Sequence, residues 1–180
     1  MKALNLLKDY LTLILYGNIK YARKKGVKIG NECRIYTRSF GSEPFLITIG
    51  NRVTVTSGVR FITHDGSTWL MRDNKGRRYL YRPILIGDNV FIGVNSIIMP
   101  GIKICNNVIV AAGSVVTKSV PEGSVVGGVP AKIIANYKDL QEKILTNYLT
   151  ESDVDKSLNY RDRIEKIVEY EYKEFMIFSK

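Results

Sequence analysis

From Ile84 to Glu122 the chain alternates extended triplets with turn triplets. Ile84-Leu85-Ile86 meets Gly87-Asp88-Asn89, and Val90-Phe91-Ile92 meets Gly93-Val94-Asn95. Ser96-Ile97-Ile98, Ile102-Lys103-Ile104, Val108-Ile109-Val110 and Ser114-Val115-Val116 continue the series, each followed by a turn triplet. Ile86, Ile92, Ile98, Ile104, Val110 and Val116 hold a six-residue phase without a slip. A three-residue strand puts its first and third side chains on one face. That face reads Val90/Ile92, Ser96/Ile98, Ile102/Ile104, Val108/Val110 and Ser114/Val116. Gly and Asn in the turn triplets tolerate the bend that each corner needs. A pair of inward residues followed by a corner, repeated, predicts a hollow prism filled from inside, its turns stacked about 4.8 Å apart. Short fixed periods mark solenoids. An ordinary antiparallel sheet does not keep such a phase for so long.

The same phase starts at Val27-Lys28-Ile29, breaks over Tyr36 to Thr48 around Gly41 and Pro44, and returns at Ile47. After Val59-Arg60-Phe61 comes the corner Ile62-Thr63-His64, and the chain then leaves the repeat until Ile84. The stretch from Asp65 to Pro83 is polar, basic and aromatic, and predicts a loop expelled from one corner, a usual place for function. Residues 2 to 24 read as a helix, with Leu4, Leu7, Leu11, Leu15 and Ile19 at near-helical spacing and Gly26 stopping it. A cap over the open end of the repeat is its expected role. Its basic, amphipathic make-up also suits a weak peripheral membrane contact. After Pro121 the pattern decays. Helix is expected from Tyr137, interrupted over Asn147 to Ser152, with a second helix from about Asp153. Ile167, Val168, Tyr170, Tyr172, Phe175 and Ile177 form an expected packing face on the prism or on a neighbouring subunit.

Composition narrows the function classes. The 180 residues make one domain of ordinary size. No run of about 20 apolar residues predicts a membrane span. Cys33 and Cys105 form neither a metal pattern nor a disulfide framework, so a reduced, cytoplasmic setting is expected. The net charge of +10 could serve nucleic acid, an anionic membrane or anionic small molecules. The cations are dispersed and no nucleic-acid motif accompanies them, so no nucleic-acid partner is expected.

The stretch Ala111-Ala112-Gly113-Ser114-Val115-Val116-Thr117-Lys118, followed by Gly128-Val129-Pro130-Ala131-Lys132, resembles the sugar and xenobiotic branch of the hexapeptide-repeat acyltransferases. The resemblance covers roughly residues 27 to 134. It implies a mainly β chain built as a left-handed parallel β-helix, with N-terminal and C-terminal helices added. The expected organisation is a capping helix over 1–26, the β-helix acyltransferase domain over 27–134 with its expelled loop at 65–83, and a helical extension over 135–180. The resemblance further implies a homotrimer, with acetyl-CoA as cosubstrate and no metal. Pantetheine is expected near Val94, Ala112 and Gly113, and the phosphate-bearing end near Thr117, Lys118 and Lys132.

Acyl transfer needs a base, donors for the oxyanion, and two substrates held in line. His64, the single His of the chain, stands at the root of the expelled loop, in a region where the family places its catalytic His. It is the candidate general base. Asp65 or a backbone carbonyl could orient its imidazole. Galactoside-type relatives place an Asn by the acceptor one turn earlier; here that region is Tyr36-Thr37-Arg38. Asp65, Trp69, Arg77 and Arg78 are the candidate acceptor-binding residues, since aromatic faces suit sugar rings and Arg forks suit phosphate or carboxylate. The expected activity is acetyl-CoA-dependent O-acetylation of a sugar or cell-surface polysaccharide unit by direct transfer. An N-acetyltransferase of a nucleotide-linked aminosugar and a xenobiotic (antibiotic) acetyltransferase stay open. A zinc carbonic anhydrase on the same prism would need three His ligands.

Overall fold

The computed structural model describes residues 2–175, with side chains from Thr12 onward. The chain divides into two compact units, one ending at Gln141 and the other beginning at Glu142. The first opens with helix α1 (Lys2–Lys24), which breaks at Gly17, where φ is 76°. Only a residue without Cβ takes that conformation cheaply, so the single helix expected here is two helical pieces. Ile14, Leu15 and Tyr16 before the break are exposed. The side chains of Leu4, Leu7 and Leu11 lie outside those described.

Short strands then visit three sheets in rotation. One circuit takes β1 (Lys28–Ile29) and β2 (Arg34–Ile35), and the next takes β3 (Ile47–Ile49), β4 (Thr54–Val55) and β5 (Arg60–Phe61). A small antiparallel hairpin, β6 (Arg72–Asp73) and β7 (Gly76–Arg77), stands in the segment between β5 and the following circuits. These are β8 (Ile84–Ile86), β9 (Val90–Ile92) and β10 (Ile97–Ile98), then β11 (Lys103–Ile104), β12 (Val108–Val110) and β13 (Val115–Val116). With β14 (Ser124–Gly127) and β15 (Lys132–Asn136) following, the first sheet runs β1-β3-β8-β11, the second β2-β4-β9-β12-β14-β15, and the third β5-β10-β13. All pairings among β1–β5 and β8–β14 in these sheets are parallel. β14 and β15 close the second sheet as an antiparallel pair, which the decaying pattern after Pro121 did not predict. The helix α2 (Tyr137–Asn147) follows.

The core is a set of aligned columns. Ile35, Val55, Ile92, Val110 and Val126 stand in register across the second sheet, and Phe61, Ile98 and Val116 across the third. All ten side chains expected to point inward between Val90 and Val116 are buried, Ser96 and Ser114 included. The two serines donate to Ala111 O, at 3.1 and 2.6 Å, which offsets the cost of burying a hydroxyl.

The corners between the first and second sheets explain the Gly-Asn-x spelling. The Asn51 carboxamide accepts from Asn31 N at 2.9 Å, Asp88 from Asn51 N at 2.6 Å, and Asn106 from Asp88 N at 2.8 Å. Each corner thus satisfies the backbone of its neighbour. A Cβ on Gly30 would lie 2.6 Å from Gly50 O, and one on Gly50 2.7 Å from Gly87 O, so the stacking excludes side chains there.

In the second unit a 3-10 turn at Glu151–Asp153 stands where the second tail helix was expected to start, and helix α3 covers only Tyr160–Ile167. Thr150 and Asp153 cap each other reciprocally around that turn, a local alternative to helix. Tyr170, Tyr172 and Phe175, from the expected packing face, are strongly exposed in the single chain, and Ile177 lies outside the described residues. Among the described residues, no helix is long and apolar enough to cross a membrane.

Candidate active site

The corner after β5 carries His64. Below β5, on the side away from β10, Phe40 stacks on Phe61 with ring centroids 6.0 Å apart and planes within 8°. Gly41 follows with φ 68°, and a Cβ there would come 2.8 Å from Phe61 O. That close approach lets the 40–43 segment lie flat against β5, and it carries Glu43 under the corner. Glu43 Oε2 accepts the Thr63 hydroxyl at 2.6 Å and lies 2.9 Å from His64 Nδ1. A carboxylate only accepts, so Nδ1 carries a proton, and in the neutral ring Nε2 keeps its lone pair. Burial raises the Glu43 pKa, but the bonds from Thr63 and His64 and the imidazole charge outweigh it and hold the carboxyl below its ordinary value. Glu43 is therefore ionised across the neutral range, and the imidazole it holds stays partly exposed.

Of the two orienting groups expected from sequence, neither meets Nδ1. Asp65 instead caps the 3-10 turn Gly66–Leu70, accepting from Ser67 N at 2.9 Å and Ser67 Oγ at 2.6 Å. The bond from the Ser67 side chain, then that from its backbone, lowers the Asp65 pKa. Glu43 escaped the sequence reading because it sits in the stretch where the repeat loses phase. Its one signal was an acidic residue before Pro44 in that irregular stretch.

The expelled loop leaves and returns at a single point. Arg82 N donates to Thr63 O at 2.8 Å, Asp65 N to Leu80 O at 3.1 Å, and His64 bridges Tyr81. From the hairpin to the corner runs a file of flat side chains. The Arg72 guanidinium lies 4.2 Å from the Trp69 ring centre, and Arg77 lies 5.2 Å from Trp69 and 4.6 Å from Tyr79. Tyr79 stacks on Tyr81 at 6.3 Å, and Tyr81 stands 6.0 Å from His64. The structure thus brings Trp69 and Arg77 together within this file. Arg78 points into an ion pair with Asp73 and to Gly76 O.

The donor candidates fall into two groups flanking β13. Before it, Gly113 N donates to Val94 O at 2.7 Å, and Val94 and Ala112 are exposed at corners between the second and third sheets. Gly113 has φ 71° and open space where a Cβ would stand. After it, Thr117, Lys118 and Lys132 line one cleft of about 420 Å³ together with Pro121, Pro130 and Ile133. The turn joining β14 to β15 carries Lys132 there, pinned by Ala131 N to Val115 O at 2.9 Å. The third sheet runs β5-β10-β13, so the corners bearing His64 and Lys118 lie on one edge, two strand spacings or about 10 Å apart.

Residues 83–118 match the family described as the hexapeptide repeat of succinyl-transferase. The chain is 51% identical over 144 residues to Protein CapG of Staphylococcus aureus, covering 78% of this chain and 81% of that protein. It is 35% identical over 114 residues to the galactoside O-acetyltransferase of Escherichia coli (strain K12), covering 62% of this chain and 55% of that protein, about half its length. A hexapeptide-repeat-containing acetyltransferase from Vibrio cholerae O1 biovar eltor, solved in complex with acetyl coenzyme A, aligns with TM-score 0.52 and 26% identity, over 73% of this chain and 85% of that one.

Proposed function

The chain belongs to the hexapeptide-repeat acetyltransferases, and on that premise we propose that it moves acetyl from acetyl-CoA to a sugar hydroxyl with His64 as general base. The observation that carries this reading is the Glu43–His64 pair, which leaves Nε2 of a partly exposed imidazole unbonded to Glu43, on the same edge as the Lys118 cleft. In this mechanism Nε2 takes the proton of the acceptor hydroxyl as its oxygen attacks the thioester carbonyl carbon. Collapse of the tetrahedral adduct breaks the carbon–sulfur bond, and the imidazolium returns its proton to the leaving thiolate. Glu43 stabilises the imidazolium in between, much as a carboxylate does in other His-based acyl-transfer sites.

Thr117, Lys118 and Lys132 take the phosphate-bearing end of the donor, with Lys acting on phosphate as a point charge. Val94, Ala112 and Gly113 offer exposed backbone and little side chain to the pantetheine arm. Trp69, Arg77, Arg78 and Asp65 frame the acceptor from the loop. The rotation of strands through three sheets and the six-residue period support a left-handed parallel β-helix, the family's form. The corners bearing Val94 and Gly113 lie on a different edge from His64. A homotrimer that sets these two edges of neighbouring copies side by side forms three equivalent sites. Light scattering checks this: a trimer is expected, and a stable monomer at micromolar concentration contradicts it.

The activity is tested by incubating the protein with acetyl-CoA and a panel of sugars, nucleotide sugars and aminosugars, read by mass spectrometry. The expected product is an acetyl ester, cleaved by mild base. A base-stable amide on an aminosugar contradicts O-acetylation, and coenzyme A release with no acetylated product contradicts sugar transfer.

A further inference from the structure

A second cleft, of about 460 Å³, lies between the end of α1 and the 38–45 segment that carries Glu43. Tyr21 and Lys25 line it from the helix, and Arg38, Ser42 and Phe45 from the segment. The size is that of a small-molecule site. Its floor includes Gly41, Ser42 and Pro44, the neighbours of Glu43, whose carboxylate reaches toward Thr63 and His64.

Position along the edge gives the cleft its meaning. The Lys118 cleft lies on the β10–β13 side of His64, and the 40–43 segment on the opposite side of β5. A donor reaching His64 from Lys118 leaves the Glu43 side for the acceptor. The lining there has one chemistry. It includes the Arg38 side chain, Lys25 and the rings of Tyr21, Phe40 and Phe45. Lys25 Nζ stands 5.6 Å from the Tyr21 ring centre. The exposed Arg38 forms no ion pair among the described residues. By contrast, Arg78 is tied to Asp73, and Arg77 is wedged between Trp69 and Tyr79. The guanidinium positioned to meet an incoming anion is Arg38 rather than those of the loop.

We propose that this cleft, through Arg38, is the subsite for an anionic substituent, carboxylate or phosphate, on the saccharide acceptor. The inference rests on the acetyl-transfer reading above and narrows its substrate class. An Arg fork accepts either anion in two parallel bonds, while Tyr21 and Phe45 offer ring faces to the sugar.

The test measures binding of glucose, glucuronic acid and glucose 1-phosphate at one ionic strength, to the full chain and to its Arg38→Gln variant. Acetyl-CoA binding and melting temperature are followed in parallel. The wild type is expected to bind at least one charged sugar about tenfold more tightly than glucose, and Arg38→Gln to abolish that preference while glucose and acetyl-CoA bind as before. Whichever charged sugar is favoured identifies the anion as carboxylate or phosphate. No preference for either charged sugar, or a preference that survives Arg38→Gln, overturns the subsite. Absence of acetyl-CoA binding in the wild type strikes the acetyl-transfer reading instead.

Discussion

His64 Nδ1 and Glu43 Oε2 stand 2.9 Å apart although 21 residues separate them in sequence. The contact exists because one circuit of the chain brings the corner after Phe40 beneath the corner after Phe61. It places a negative charge beside the His64 ring. Replacing Glu43 with Gln keeps the volume and removes the charge. The turnover number is expected to fall by about ten- to a hundredfold, with the Michaelis constant for acetyl-CoA little changed. Unchanged turnover in Glu43→Gln would show that the pair is structural only.

The same pair gives a pH signature. Glu43 titrates below its ordinary value of 4.5 in the folded protein. Its contribution to stability is therefore complete above about that value and lost as pH falls through the lower folded value. Acid melting curves of the wild type should drop through this window. Those of Glu43→Gln should be flatter there, starting from a lower plateau at neutral pH. Parallel curves for the two proteins contradict the assignment.

The donor reading is tested on the Lys118 cleft. Replacing Lys118 and Lys132 together with Ala should weaken coenzyme A by about tenfold or more, and dephospho-coenzyme A much less. Equal losses for both ligands, measured by calorimetry, refute a contact to the terminal phosphate.

Gly93 is buried, and a Cβ there would come 2.8 Å from both Ala111 C and Ala112 Cα. Backbone cannot swing aside as a side chain can. Gly93→Ala is expected to cost about 1–3 kcal/mol and to lower the melting temperature by several degrees. Because it wedges apart the corners that carry Val94 and Ala112, donor affinity should fall with it. An unchanged melting temperature would mean that the two corners are less tightly stacked than described.

The repeat was legible because its physics is local and periodic. A strand of three residues repeated against itself needs the same inward side chains each time, and Ile86, Ile92, Ile98, Ile104, Val110 and Val116 print that need in the sequence. His64 was legible as the lone His at the root of a phase break. Glu43 was not, because the 36–48 stretch follows no period and its partner is set by how Gly41 packs under Phe61. The break in α1 at Gly17 and the pairing of β14 with β15 were hidden for a related reason. A glycine inside an apolar helical pattern does not announce whether its φ is positive, and the irregular Gly127–Pro130 turn carries no repeat.

The central claim is that His64 accepts the proton of the acceptor. It is tested most directly by single-turnover acetyl transfer to the best acceptor found, comparing the wild type with His64→Ala at saturating acetyl-CoA across pH. The transfer rate is expected to fall by about a hundredfold or more, with acetyl-CoA affinity unchanged and the pH profile of the wild type lost. A His64→Ala protein that transfers acetyl at close to the wild-type rate, with the same pH profile, contradicts the account.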